Sequence, residues 1–400
     1  MNINELFLIA LIIIFSVPYF IWRVGNVDYW APLVVVQIVT GILLGPGILG
    51  YFQPDVYNFI FTKDVIQLLN GVAIWAVTLF VFFAGLELNL HELKVNKKET
   101  AITSGLALGM PLLFGSIGAV VLLNYFPGNW MGANGQPWQF VLGLGMACAV
   151  TALPILILLM EKINILRQPI GQRILRYASL DDIAIWSVLA IILMDWNRLN
   201  HQLIFLISYA LSSFAIRGFL TKIPLQDRIY VALVWLASVA FLADWAGLHF
   251  MVGAFLAGAV LDRHWFDEKQ LDSLRNSVLL LMMPVFFLST GLRTLWEFNG
   301  ALILLVALFF FAVQLAGKMS GTYIAGRLLN WQEKESSLIG WLLQTKALIE
   351  IIFVSILLDK KIITSEMFTA MLLMAIVSTM ITIPRITPMI KKMPHLVKKH

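Results

Sequence analysis

The sequence predicts an all-α polytopic membrane protein of about thirteen transmembrane helices built as an inverted repeat. Three observations carry that prediction. First, 60% of the 400 residues are hydrophobic and 13% charged, where a soluble domain is nearer half apolar and a quarter charged. That balance excludes a water-soluble enzyme, a disordered chain and a nucleic-acid binder, in spite of a net charge of +5. Second, the basic residues alternate in number from loop to loop. Third, two runs of apolar sequence recur seven segments apart. The single cysteine, Cys148, leaves no basis for a disulfide framework or a Cys-rich metal site.

Apolar segments long enough to span, or nearly so, run at about 5–22, 30–50, 68–89, 100–123, 138–160, 174–195, 202–220, 229–246, 248–262, 277–292, 299–327, 336–358 and 366–390. Span 1 turns apolar at Leu6, after Glu5, and no small-residue cleavage site follows, so it reads as a retained helix. With the N-terminus outside, the inward loops and tail hold 21 of the 28 Lys and Arg residues. The outward loops hold five (Lys63, Arg198, Arg293, Lys360, Lys361), and Lys318 and Lys346 lie inside spans. This asymmetry is the positive-inside signature. It predicts the N-terminus out, the C-terminus in, and basic loops facing an anionic cytoplasmic leaflet. No soluble domain is expected after the last span.

The repeat is visible in two pairs of segments. Span 2 carries Gly41-Ile42-Leu43-Leu44-Gly45-Pro46 and span 9 carries Gly253-Ala254-Phe255-Leu256-Ala257-Gly258. Span 3 ends Phe80-Val81-Phe82-Phe83-Ala84-Gly85-Leu86, and span 10 ends Val285-Phe286-Phe287-Leu288-Ser289-Thr290-Gly291-Leu292. An odd offset of seven helices reverses orientation in the membrane, as in many transporters. The pairing continues as span 4 with 11, 5 with 12, and 6 with 13.

Charged residues inside spans are costly and functional by default. Asp181 and Asp182 lie together in span 6. Each carboxylate costs about 2.5–3.5 kcal/mol at mid-helix on insertion scales. As helix neighbours they point about 100° apart and meet different surroundings. Lys318, in span 11, sits between Gly317 and Gly321, a spacing that lets another helix approach closely. It either snorkels to an interface or meets an acid, and the repeat pairing points to Asp181. In span 12, Lys346 and Glu350 share a face at i,i+4, as a structural ion pair or as part of a pathway. Span 5 contains Thr151-Ala152-Leu153-Pro154, and Pro154 predicts a kinked or broken helix whose freed carbonyls can build an ion site. Gln37 lines a path or bonds a neighbouring helix. Glu87 and Asp244 reach water near span ends, and His249 is a packed or wetted histidine. The tryptophans at span edges, among them Trp22, Trp30, Trp130, Trp138, Trp196, Trp265, Trp296 and Trp331, read as interfacial belts.

These stretches, in this order, resemble the monovalent cation:proton antiporter-2 family. They are Gln37–Gly50, Phe80–Leu88, Ala149–Pro154, Ala178–Trp186, Gly253–Leu261, Pro284–Leu292, Ala316–Gly321 and Leu343–Ile351, and they cover nearly the whole chain. The resemblance implies a transporter, not an enzyme, with thirteen helices in two parts. A core of helices at about 100–195 and 299–390 would move against a scaffold or dimerisation part at about 5–89 and 202–292. Spans 5 and 12 would be broken and cross. The second acid of the span-6 pair, Asp182, would bind cation or proton. An aspartate before it, here Asp181, goes with electrogenic exchange. Lys318 matches the family's buried lysine, and Lys346 and Glu350 fall in the second broken helix. Potassium-efflux and plant members usually carry a cytoplasmic regulatory domain, and none is expected here.

The expected function is therefore secondary active exchange of sodium, lithium or potassium for protons, serving pH homeostasis, in a prokaryotic inner membrane. Cation and protons would compete at Asp182 and Asp181, with Thr151 and Lys318 completing the set and Lys346, Glu350, Pro154 and Gln37 supporting it. The two acids would titrate as one coupled unit, and Lys318 would bond Asp181 when the cation is absent. A homodimer is implied, no cofactor is needed beyond the transported ions, and nucleic acid is no partner. The competing function is a sodium-coupled organic-solute symporter of similar inverted-repeat fold.

Overall fold

A computed structural model of the chain describes residues 2–27, 31–87, 97–166, 168–194, 198–292, 300–346 and 348–391. Trp30, Trp196, Trp296, Lys94 and Arg293 lie outside the described residues. The helices are α1 (Ile3–Val24), α2 (Leu33–Leu44), α3 (Leu49–Phe52), α4 (Pro54–Ile60), α5 (Lys63–Leu86) and α6 (Lys97–Tyr125). They continue as α7 (Pro137–Ala149), α8 (Leu153–Lys162), α9 (Pro169–Ile192), α10 (Leu199–Leu220), α11 (Arg228–Trp245) and α12 (Phe250–Ala259). The last six are α13 (Glu268–Ser277), α14 (Met283–Leu292), α15 (Gly300–Leu328), α16 (Glu333–Leu342), α17 (Leu348–Asp359) and α18 (Ser365–Lys391). Among the described residues the only β pairing is an isolated bridge between Met131 and Ile363.

Nine helical segments among the described residues are long and apolar enough to cross a membrane. The chain is thus an integral membrane protein. Four of the thirteen apolar segments fall short of that standard, each for a physical reason. Segments 138–160 and 336–358 are broken into α7/α8 and α16/α17. Segment 248–262 holds only the ten-residue α12. Segment 174–195 lies in α9, which carries Arg173, Arg176, Asp181 and Asp182. Segment 277–292 begins as a π-helical turn, Val278–Met282, between the polar α13 and the apolar α14.

The chain divides into two compact units. One comprises Met1–Phe15, Asn58–Asn89 and Leu189–Ser289. Within it α5, α11 and α12 pack through small residues. Gly85 lies against the Phe255 carbonyl and Gly258 against the Phe82 carbonyl, leaving no room for a Cβ at either. Such close approach is how membrane helices associate where lipid offers no hydrophobic drive. α12 starts sharply because Gly247 and His249 adopt positive φ, 89° and 88°. The buried His249 ring caps that start, accepting from the Met251 N–H at 3.4 Å. The carbonyls of Leu256 and Ala257, near the end of α12, accept from the Tyr209 hydroxyl at 2.9 Å and Trp235 Nε1 at 3.0 Å. Glu87 does not simply reach water. It pairs with Arg275 at 2.6 Å and Arg263 at 3.8 Å, and Arg263 also meets Asp272 at 2.7 Å.

The other unit comprises Ser16–Tyr57, Leu90–Val188 and Thr290–His400. It repeats one order of elements twice. A 29-residue helix (α6, α15) is followed by a broken pair and then by a long helix (α9, α18). α6 and α15 lie antiparallel, as an inverted repeat requires. Gly317 sits on the backbone of Pro111, while Gly321 sits on Leu106 and Ala107. Both ends of this unit are clasped. At one end Arg173 binds Glu99 and Glu335, each at 2.7 Å, Tyr177 donates to Glu99 at 2.6 Å, and the guanidinium lies 4.9 Å over the Trp331 ring. Ion pairs that keep some contact with water contribute little energy singly, but this arginine ties three helix starts to one point. At the other end the Gly132, Asn134 and Thr364 amides donate to Ile362, Lys361 and Trp130 carbonyls at 2.9–3.1 Å.

Gly317→Ala would place a Cβ 2.5 Å from Pro111 Cα. Overpacking of this kind costs about 1–3 kcal/mol. The detergent-solubilised variant should melt lower than wild type, whereas Gly105→Ala, which meets open space, should not.

Candidate ion-binding site

The site is built where two helices stop. α7 ends at Ala149, and Val150 turns extended (φ −64°, ψ 149°). Val150 and Thr151 are both β-branched and suit that backbone better than a helix. The chain becomes helical again at Leu153, so Pro154 falls in the first turn of α8, where its missing N–H needs no partner. The proline therefore opens the second half-helix, and the break lies just ahead of it. The Pro154 side chain lies outside the described residues. In the repeat-related position, α16 ends at Leu342 and α17 begins at Leu348. The two breaks meet: the Ala152 amide donates to the Thr345 carbonyl at 2.8 Å, and the Thr151 hydroxyl reaches the Leu343 carbonyl at 2.9 Å.

Stopping α7 inside the membrane strands its last carbonyls, which no later helical amide can reach. Two buried lysines take them. Lys346 Nζ donates to the Ala147 and Cys148 carbonyls, both at 2.8 Å, and Lys318 Nζ donates to the Ala149 carbonyl at 2.5 Å. Positive charge is also what the negative end of a helix dipole favours. The second break is closed by neutral groups instead. Ser378 donates to the Gln344 carbonyl at 2.9 Å, Thr345 to Leu342 at 3.0 Å, and the Lys346 amide to Thr379 Oγ1 at 3.2 Å.

The acids complete the set. Asp181 Oδ2 lies 3.3 Å from Lys318 Nζ and 2.6 Å from Thr151 Oγ1. Asp182 follows it on α9 and is equally buried. Glu350 Oε2 lies 3.8 Å from Lys346 Nζ, one turn along the same chain. All five charged side chains are at most 3% exposed. If all ionise, two ammoniums face three carboxylates and the set carries a formal charge of −1. The acids of such a set can take up a proton or a small cation.

Thr151 adds a constraint on protons. Its hydroxyl has one hydrogen and two acceptors within reach, Asp181 and the Leu343 carbonyl. With Asp181 ionised, the hydrogen belongs to Asp181 and the Leu343 contact is lost. With Asp181 protonated, Asp181 donates to Thr151, and Thr151 is free to donate to Leu343. The protonation of the first repeat is thereby read by the backbone of the second.

Asp181, Thr151, Lys318, Lys346 and Glu350 are thus gathered around one pair of breaks. Gln37 is buried in α2 and joins none of these hydrogen bonds among the described residues. Ser378 and Thr379 were not legible as participants. Hydroxyls at these positions on an apolar helix are a common way to bond the preceding turn, and Thr379 does so with Ala375.

The pattern of a sodium/hydrogen exchanger transmembrane region matches residues 8–392. The chain is 28% identical to the Na(+)/H(+) antiporter NhaS4 of Synechocystis, over 88% of this chain and 90% of that one. It is 29% identical to the Cation/H(+) antiporter 17 of Arabidopsis thaliana, over 92% of this chain but 46% of that one, so it spans about half the length of that plant relative. Its fold matches the structure of the sodium proton antiporter MjNhaP1 from Methanocaldococcus jannaschii with a TM-score of 0.64, 14% identity and full coverage of both chains.

Lys346→Met removes the partner of Glu350 and the donor to two carbonyls. Breaking a buried pair costs about 3–5 kcal/mol, so this variant should melt well below wild type. Adding Glu350→Gln should recover part of the loss. Equal melting of the single and double variants would mean that the pair is not coupled.

Proposed function

This chain belongs to the sodium/hydrogen exchanger transmembrane family, and from that premise we propose that it exchanges a monovalent cation for protons by alternating access at the paired breaks. The observation that carries this is the buried set of two lysines and three acids. A cation and two protons compete for the acids of the set, one proton at Asp182 and one shared by Asp181 and Lys318. Asp182 receives the sodium, lithium or potassium ion. Asp181, held by Thr151 and Lys318, is the second acid of the exchange and a transient ligand. Lys318 bonds Asp181 while the site holds no cation and lets go when one binds. The sodium-coupled organic-solute symporter finds no support in the relatives, which are named for cation/proton exchange.

In this proposal the core that carries the site across is formed by α6–α9 and α15–α18, and the remaining helices form the scaffold and the surface of a homodimer. The positive-inside count supports a chain with its N-terminus outside and its C-terminus in the cytoplasm of a prokaryote. The Asp181–Asp182–Lys318 set supports two protons per cation. That stoichiometry moves one net charge, worth about 2.3 kcal/mol per 100 mV. It corresponds to about a fifty-fold concentration gradient, enough for membrane potential alone to expel the cation.

Reconstituted in liposomes with a trapped pH dye, the wild type should dissipate a pH gradient on addition of sodium, lithium or potassium, and an imposed voltage should change the rate. Asp182→Asn should abolish the cation-evoked signal. A fully active Asp182→Asn would sink the antiporter mechanism. Thr151→Ser should keep most of the flux. Thr151→Val, which cannot pass the hydrogen, should lower it at least tenfold at the same cation concentration.

A further inference from the structure

Gln314 is the central residue of the 29-residue α15. It is fully buried, and neither atom of its side-chain amide has a hydrogen-bond partner among the described residues. Gln344, in the second break, is in nearly the same position. It is 1% exposed, its carbonyl oxygen has no partner, and its NH₂ reaches only the Gln314 backbone carbonyl, at 3.5 Å. An amide left unbonded at the middle of a membrane helix is costly, because lipid supplies no water to it. Two of them side by side point to a ligand.

Their position says which one. Gln314 and Lys318 are four residues apart and share a face of α15, with a rise of about 6 Å between them. Lys318 reaches Ala149 and Asp181, so Gln314 faces the same region one turn away. Gln344 is two residues before Lys346, whose ammonium caps α7. The amides therefore adjoin the ion set, on the side of Lys318 that leads toward the start of α15. They offer neutral carbonyl oxygens, which suit a cation stripped of part of its hydration shell. An anion would meet Asp181 and Glu350 nearby. A proton has nowhere to rest, since a carboxamide does not titrate in this range.

We propose that the Gln314 and Gln344 side-chain amides, adjoining the Asp181–Lys318 pair, form a second station for the monovalent cation. It rests on the antiporter function above and adds a step that protons do not share. Cation affinity and proton affinity then depend on different residues. Changing the amides alters the first and leaves the second alone.

The test uses purified full-length protein in liposomes, titrated with sodium, lithium and potassium chloride. Wild-type flux is measured first. If the wild type gives no cation-evoked proton movement, the antiporter function fails, and with it the ground for this step. With an active wild type, Gln314→Leu and Gln344→Leu should each raise the half-saturating cation concentration at least fivefold. Read at cation concentrations well below half-saturation, where competition does not displace the profile, the pH at half-maximal rate should stay within about 0.3 of wild type, about a twofold change in proton affinity. Leucine removes the unbonded atoms at similar volume, so melting temperature should hold or rise. Should one variant fail to fold, the other, together with Gln314→Asn, decides. A rise smaller than fivefold in a folded variant, or an equal shift in the pH profile, overturns the second station and makes the amides part of the packing alone.

Discussion

The carbonyls of Ala147, Cys148 and Ala149 set the terms for the site around them. A helix that stops inside a bilayer has acceptors that neither lipid nor its own chain can satisfy. Here two ammonium groups reach them from the other repeat, Lys318 from α15 and Lys346 from the second break. Lysine can do this because its long stem crosses apolar packing and its head carries three donors. Once two positive charges are buried, acids must follow. Asp181 answers Lys318 and Glu350 answers Lys346. Asp182, next to Asp181 on α9, adds a third buried carboxylate to the set.

The same constraint explains why the two repeats depend on each other. Both broken helices are completed by donors outside their own helical ladder, but by different chemistry. The end of α7 takes charged donors, and the end of α16 takes hydroxyls and amides. Charge is thus concentrated at one of two otherwise parallel breaks. The clasps at both ends of this unit, through Arg173 and through the 129–135 and 361–364 loops, hold the halves around that center. Small residues make the close packing possible, with Gly317 and Gly321 seating α6 against α15. A rigid frame around buried charge is what the proposed exchange needs, because it keeps the acids and lysines in place.

Thr151 shows how little is needed to couple proton and backbone. One hydroxyl hydrogen shared between Asp181 and the Leu343 carbonyl links the protonation of an acid to a bond in the opposite repeat. The link has two discrete arrangements, which is the property a switching element requires. A purely electrostatic pair would respond continuously. A single hydrogen with two acceptors does not.

Much of this protein is determined by its sequence alone. Lipid penalises charge and unpaired backbone, so composition and the Lys/Arg asymmetry place the chain in a membrane. The few charges left inside spans, Asp181, Asp182, Lys318, Lys346 and Glu350, mark the site. Gly317-Lys318-Met319-Ser320-Gly321 advertised a close helix contact, and the Phe- and Gly-rich echoes indicated a repeat. Only the tertiary structure decided which carbonyls the lysines cap, because those bonds join residues 169 to 199 positions apart. It also put the break of span 5 at Val150–Ala152, ahead of the proline that drew attention to it, and brought Gln314 against Gln344. Periodicity tells which face a side chain takes, and cost tells that a buried charge has a partner. Neither tells which partner, since that is set by how two distant breaks are brought together in space.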